Sequence, residues 1–423
     1  MRARLATWWP ALLLGLATIG AYGTAYYSIG VLIPVIASDT GWSTGALAGG
    51  FSIGMLGQGA IALLSGRVID RHGSKRVLLA SICAGGALLF ASSFAQESWQ
   101  FVAAWSAGAA ATGGGLYYNV TMPMTARLYP EQRAAAFSVL TLLGALASPI
   151  FYPLAAWLID LLGWRGALQA LVGVMVLCVA PAALLVHAPA AAQLSRTAVG
   201  GSLAGALRQP VVYRALLVFA LAAFANSALL LHQVSALEAA GLSLAAASGF
   251  AGVRGAFQIP GRLFLTPLTL RFGVRGAIAM CYTLAATATL ALLLAVAGFT
   301  PTALAVYFTV VSGMSLGMLS PLNGLFQAEV YGDSRLGTLS GVNVIVVSVA
   351  GASGAWTAGL AASAAGSYVL PLAGAVVLQG AAVLALRWQE AARASPLLSR
   401  ESGVEASKGA AVLHVPGGDT MSS

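Results

Sequence analysis

Twelve apolar stretches, each long enough to cross a bilayer, follow one another with only short polar breaks between them: 11–37, 44–65, 77–96, 100–128, 134–159, 165–187, 211–236, 244–269, 276–298, 302–328, 336–362 and 368–387. A helix rises about 1.5 Å per residue, so about 20 apolar residues span the hydrocarbon layer. Inside lipid every backbone amide and carbonyl must be bonded within the segment, which makes each stretch a helix. With 59% apolar and 8% charged residues and a mean hydropathy of +0.87, the chain is not a soluble domain with one core. Arg2 and Arg4 precede the first apolar run as in a signal peptide. The run continues too far, without an Ala-x-Ala-like end, so a retained first helix is expected.

Lys and Arg collect on the cytoplasmic side of membrane proteins. The breaks after odd-numbered stretches carry Asp39, Glu97, Asp160 and Glu238 but a single basic residue, Arg165. The alternate breaks and the tails carry the rest, among them Arg67, Arg127, Arg208, Arg335 and Arg387. Both termini are therefore expected in the cytoplasm, with the chain in the plasma (inner) membrane. The net charge of +9 follows from that topology and calls for no nucleic-acid partner. Cys83, Cys178 and Cys281 each sit inside an apolar stretch and read as small packing residues, with no disulfide, metal or other cofactor implied.

The chain also repeats itself. Shifting DRHGSKR (70–76) by 200 residues onto LRFGVRG (270–276) pairs Arg71 with Arg271, Gly73 with Gly273 and Lys75 with Arg275. LYPEQR (128–133) matches VYGDSR (330–335) at an offset of 202. Two matches at the same place in successive six-helix blocks indicate a duplication, and parallel repeats of this kind build transporters. The expected organisation is an all-α membrane protein with a first half at 1–187, a cytoplasmic linker at 188–210, a second half at 211–387 and a disordered cytoplasmic tail at 388–423.

GRVIDRHGSKR, residues 66–76, gathers six ionisable side chains between the second and third stretches. It resembles the signature of the major facilitator superfamily, G-x-x-x-D-R-x-G-R/K-R/K, matched by Gly66, Asp70, Arg71, Gly73, Lys75 and Arg76. The resemblance implies twelve helices in two pseudo-symmetric halves, with these six residues gating the inner side through charge pairs that form in one state and break in the other. Leu270 stands where the second copy would place its acid, so that half is expected to lack the pairing. The run 22–54, GWR at 163–165, LHQV at 231–234 and PGRLFLTPLTLRFG at 260–273 resemble the monocarboxylate transporter group and its oxalate/formate relatives. Two features depart from those relatives: Gln258 stands where the animal branch carries an aspartate, and 340–360 lacks the lysine of the oxalate exchangers.

The eighth stretch carries the strongest chemical signal. A charge in the bilayer costs at least about 2.5–3.5 kcal/mol, so an intramembrane ion marks function by default. Counting back from Leu270, Arg262 lies about 12 Å deep, near the midplane, and Arg254 about 24 Å deep. Arg254, Gln258 and Arg262 recur every four residues and would share one helix face, and a guanidinium matches a carboxylate with two hydrogen bonds. The acids lie near helix ends, so no fixed partner at the midplane is evident. Further polar groups fall on stretches expected to line the cavity of this fold: Tyr22, Tyr26 and Tyr27; Tyr117, Tyr118 and Asn119; Asn226, His232 and Gln233; and Asn323. Each could equally serve as an interhelical bridge. His232 is the only histidine within a stretch and a candidate for substrate or proton binding.

The reading that follows is a monomeric secondary transporter of a small organic anion, expected to be a monocarboxylate, working by alternating access as a proton-coupled carrier or an anion exchanger. Efflux of amphipathic compounds is the alternative, and a sensor on a transporter scaffold a remoter one. No nucleophile, base and orienting acid can be assembled from the spacing, which speaks against an enzyme.

Overall fold

The computed structural model describes residues 2–186, 207–331 and 336–394, which are helical almost throughout. Nine helices among them are long and apolar enough to cross a membrane. One of these, Ala136–Leu185, is two spans folded at Gly163, and two further spans are interrupted. The twelve apolar stretches thus each correspond to helix: α1 (2–40), α2 (Thr44–His72), α3 (Ser74–Ser92), α4 (98–128), α5 (133–162), α6 (164–185), α7 (Pro210–Ala239), α8 (244–272), α9 (274–296), α10 (Pro301–Tyr331), α11 (Leu336–Ala365) and α12 (Val369–Ala394). The stretch expected as a linker lies outside the described residues over 187–206, and the tail over 395–423. The last helix continues to Ala394, past the expected end at 387.

The duplication has a backbone counterpart. Gly73 (φ 77°, ψ 173°) and Gly273 (φ 68°, ψ 173°) make the same tight turn 200 residues apart, between α2 and α3 and between α8 and α9. Gly41 and Gly241, at the same offset, both take positive φ after α1 and α7. A side chain at such positions would meet the steric cost that glycine escapes.

The interruptions have local causes. In α8, Pro260 has no amide for the carbonyl of Ala256 and Pro267 none for that of Leu263, and the helix breaks at Phe257 and Phe264. In α4 the backbone turns extended at Tyr117. The Asn119 amide donates to the Gly114 carbonyl at 3.1 Å. In α1, residues Gly23–Tyr27 form a π-helical turn, with the Ser28 hydroxyl donating to the Gly23 carbonyl at 2.8 Å. Gly23 is required there because Phe151 occupies the space of a β-carbon.

The halves meet along α2 and α11, α1 and α7, and α5 and α8. Contact runs from Thr44, hydrogen-bonded to Ser363, down to Ser52, whose hydroxyl donates to the Ala352 carbonyl at 2.7 Å. Gly30 of α1 lies against the backbone of Leu231. One end of the molecule, that of the 41–43 turn, is sealed by these contacts. Just below the seal α11 turns from contact at Gly351 and Ala352 to a cavity wall at Val347 and Ser348, so the cavity opens toward the Gly73 and Gly273 turns. At the sealed end Arg165, the basic residue out of step with the charge pattern, lies 3.7 Å from Asp39, to which Trp164 Nε1 donates at 2.8 Å.

Candidate functional site

Between the halves lies a cavity of about 620 Å³. Its wall on the first half comes from α1, α2 and α5, including Tyr22, Tyr26, Tyr27 and Tyr152. Its wall on the second half comes from α7, α8, α9, α10 and α11, including Asn226, Gln233, Arg254, Gln258, Tyr282 and Asn323.

Arg254 is the one cation among the lining residues, and only 4% of it is exposed. Its Nε donates to the Ser312 hydroxyl at 2.8 Å and its Nη1 to Gln233 Oε1 at 3.0 Å. The Phe308 ring lies 5.4 Å from its guanidinium carbon. Every partner is neutral, and no carboxylate among the described residues reaches it. The charge is therefore held in place by dipoles and left without a counter-ion. Gln233 extends the chain: its Nε2 donates to the Tyr152 hydroxyl at 2.6 Å, which in turn donates to the Leu230 carbonyl at 3.3 Å. Gln233 and Tyr152 thus join α7 of the second half to α5 of the first.

The cavity brings together Arg254, Gln258, Tyr22, Tyr26, Tyr27, Asn226, Gln233 and Asn323 of the expected residues and leaves the other five off its wall. Arg262 belongs to the six-residue segment between the two breaks of α8, half-buried, with its Nε unpartnered. The spacing argument that set Arg254, Gln258 and Arg262 on one face assumed an unbroken helix, and the two prolines remove that premise. Tyr117 stacks behind Tyr22, their ring centroids 3.8 Å apart, and supports the wall from outside. Tyr118 lies against Tyr22 and packs on Gly144. Asn119 is committed to the Gly114 carbonyl. His232 faces α11 and α12: its Nε2 must donate to the Ala355 carbonyl, 3.0 Å away, and its ring lies 5.7 Å from Tyr368.

Tyr152, Tyr282 and Ser312 escaped the sequence reading because a tyrosine or serine inside an apolar helix looks like core. The adjacency of Tyr152 to Pro153 was the one local hint. In the turn at 66–76, Gly73 breaks the helix, and Arg71, Lys75 and Arg76 are exposed. The side chain of Asp70 lies outside the described residues. The second copy has a charge pair of another make, its acid outside the turn where Leu270 stands. Arg275 Nε lies 3.0 Å from Glu329 Oε1, so the acid comes from α10 instead of the turn.

A family model described as the Major Facilitator Superfamily matches residues 14–355. No curated protein matches the sequence. Among solved structures, a nucleoside transporter, NupG, superposes with a TM-score of 0.72 at 14% identity, over 92% of this chain and 99% of that one. A D-xylose–proton symporter gives 0.70 at 14% identity, over 89% and 95%. A bacterial homolog of the human lysosomal transporter Spinster, inward-facing and unoccupied, gives 0.68 at 15% identity, over 92% and 98%. At such identities the likeness is one of fold.

Proposed function

The chain belongs to the major facilitator superfamily and is a multi-pass secondary transporter rather than an enzyme; from that premise we propose that its substrate is a small organic anion, a monocarboxylate, which docks on Arg254. The observation that carries this reading is a buried guanidinium on the cavity wall whose partners are all neutral. Two of its five N–H groups are used by Ser312 and Gln233, so a planar fork remains for a carboxylate. Substrate binding supplies the counter-charge that the protein withholds. Gln258 and Asn323, on the same side of the cavity, offer further hydrogen bonds.

The seal at the 41–43 turn and the opening toward the basic turns describe an inward-open carrier if those turns are cytoplasmic. Alternating access then closes the inner side, where Asp70 and its neighbours form the gate, and parts α2 from α11 at the other. Uptake into proteoliposomes across a panel of labelled acids tests the reading. Carboxylates should be carried and compete with one another, and Arg254→Gln should abolish their uptake. Transport of neutral solutes alone, untouched by that change, would refute it.

A further inference from the structure

The two walls of the cavity differ in chemistry. On the first half, Tyr22, Tyr26 and Tyr27 of α1 and Tyr152 of α5 form one aromatic surface, with centroids 5.8 Å apart for Tyr22 and Tyr26, 5.3 Å for Tyr26 and Tyr27 and 5.6 Å for Tyr27 and Tyr152. The π turn at Gly23–Tyr27 widens the helix so that positions 22, 26 and 27 share the cavity side, and such turns recur at functional sites. The three rings are only partly buried and line the cavity, with Tyr117 stacked on Tyr22 behind them. On the second half, Arg254 is joined by Asn323, whose Oδ1 is buried without a partner, and by Tyr282, whose hydroxyl is likewise unpartnered.

A three-carbon acid held on Arg254 would leave most of about 620 Å³ to water and none of its own surface suited to the tyrosine wall. Cavities of this size enclose ligands well beyond that. Aromatic rings offer a ligand ring offset or edge-on contacts that an aliphatic group of equal size does not match.

Building on the anion reading of Arg254, we infer that the substrate class is an aryl-substituted monocarboxylate, its carboxylate on Arg254 and its ring against Tyr22, Tyr26 and Tyr27. Polar substituents on the ring would be met by Tyr282 and Asn323.

Titration calorimetry on the purified protein with lactate, cyclohexylacetate, phenylacetate and phenylacetamide tests this. Phenylacetate should bind more tightly than cyclohexylacetate by about three- to ten-fold, the margin aromatic contacts add beyond burial, and more tightly still than lactate. Tyr26→Leu should bring the phenylacetate-to-cyclohexylacetate ratio toward one, and the wild-type comparison decides the matter if that variant does not fold. Equal binding of phenylacetate and cyclohexylacetate, or of phenylacetate and lactate, overturns the aryl class while leaving the anion site standing. Phenylacetamide binding as well as phenylacetate overturns the anion reading and this inference with it, as does no binding by any of the acids.

Discussion

Arg254 Nη1 donates to Gln233 Oε1 at 3.0 Å, and through that amide the buried charge is tied to Tyr152 of the opposite half. An anion on the N–H groups left free would draw on the same guanidinium that holds Gln233 in place. Occupancy of the cavity and closure of the sealed end are thereby physically linked.

Tyr152→Phe keeps the ring and removes the hydroxyl that accepts from Gln233 and donates to Leu230. A net hydrogen bond is worth about 1 kcal/mol, so the equilibrium should move about five-fold toward the state open at the 41–43 turn. Spin-label distances across that end would show the longer population growing. An unchanged distribution would mean that the chain does not bear on closure.

Gly30 makes a sharper test of the seal. A β-carbon there would stand 2.9 Å from the Leu231 carbonyl oxygen, a backbone atom with little room to move. Gly30→Ala should therefore disfavour the sealed state and expose a cysteine placed at Ser52, only 3% exposed in the seal, to a membrane-impermeant maleimide from that side. Labelling as slow as in the parent protein would contradict the packing described.

How much of this was legible beforehand differs by level. Helix count and the duplication follow from apolar run length and from the offset of Gly73 and Gly273, because both depend on local rules. The eighth helix shows where such rules stop. Its two arginines stand out in sequence, yet which one faces the cavity depends on backbone breaks at Phe257 and Phe264. Pro260 and Pro267 announce breaks without giving the direction in which the helix turns. Tyr152 acquires meaning only across the interface, where it meets Gln233, and no spacing within one helix encodes that meeting. The pairing of Arg275 with Glu329 likewise joins positions 54 residues apart.

His232 was a candidate for the coupled proton, and its position suggests a different outcome. Since its Nε2 donates to the Ala355 carbonyl and the ring does not line the cavity, His232→Leu should lower the thermal midpoint by a few degrees and leave the pH profile of uptake in place. A flattened pH profile with unaltered thermal stability would assign the proton to His232 after all.

The gate can be separated from the pair in the second copy. Asp70→Asn should slow transport with binding retained if the turn at 66–76 closes the inner side. Glu329→Gln, which leaves the buried Arg275 beside a neutral amide, should cost about 1–3 kcal/mol of stability and leave transport in place. Normal transport in Asp70→Asn would remove the gate role from that residue.

The most direct test of the account is the affinity of wild-type, Arg254→Lys and Arg254→Gln proteins for one carboxylate and its amide. Charge-assisted hydrogen bonds contribute about 1.5–3 kcal/mol each, so Arg254→Gln should weaken the carboxylate about 100-fold or more and leave the amide near its wild-type value. Arg254→Lys keeps the charge without the planar fork and should fall between. Carboxylate affinity in Arg254→Gln equal to that of the wild-type protein would contradict an anion site at Arg254.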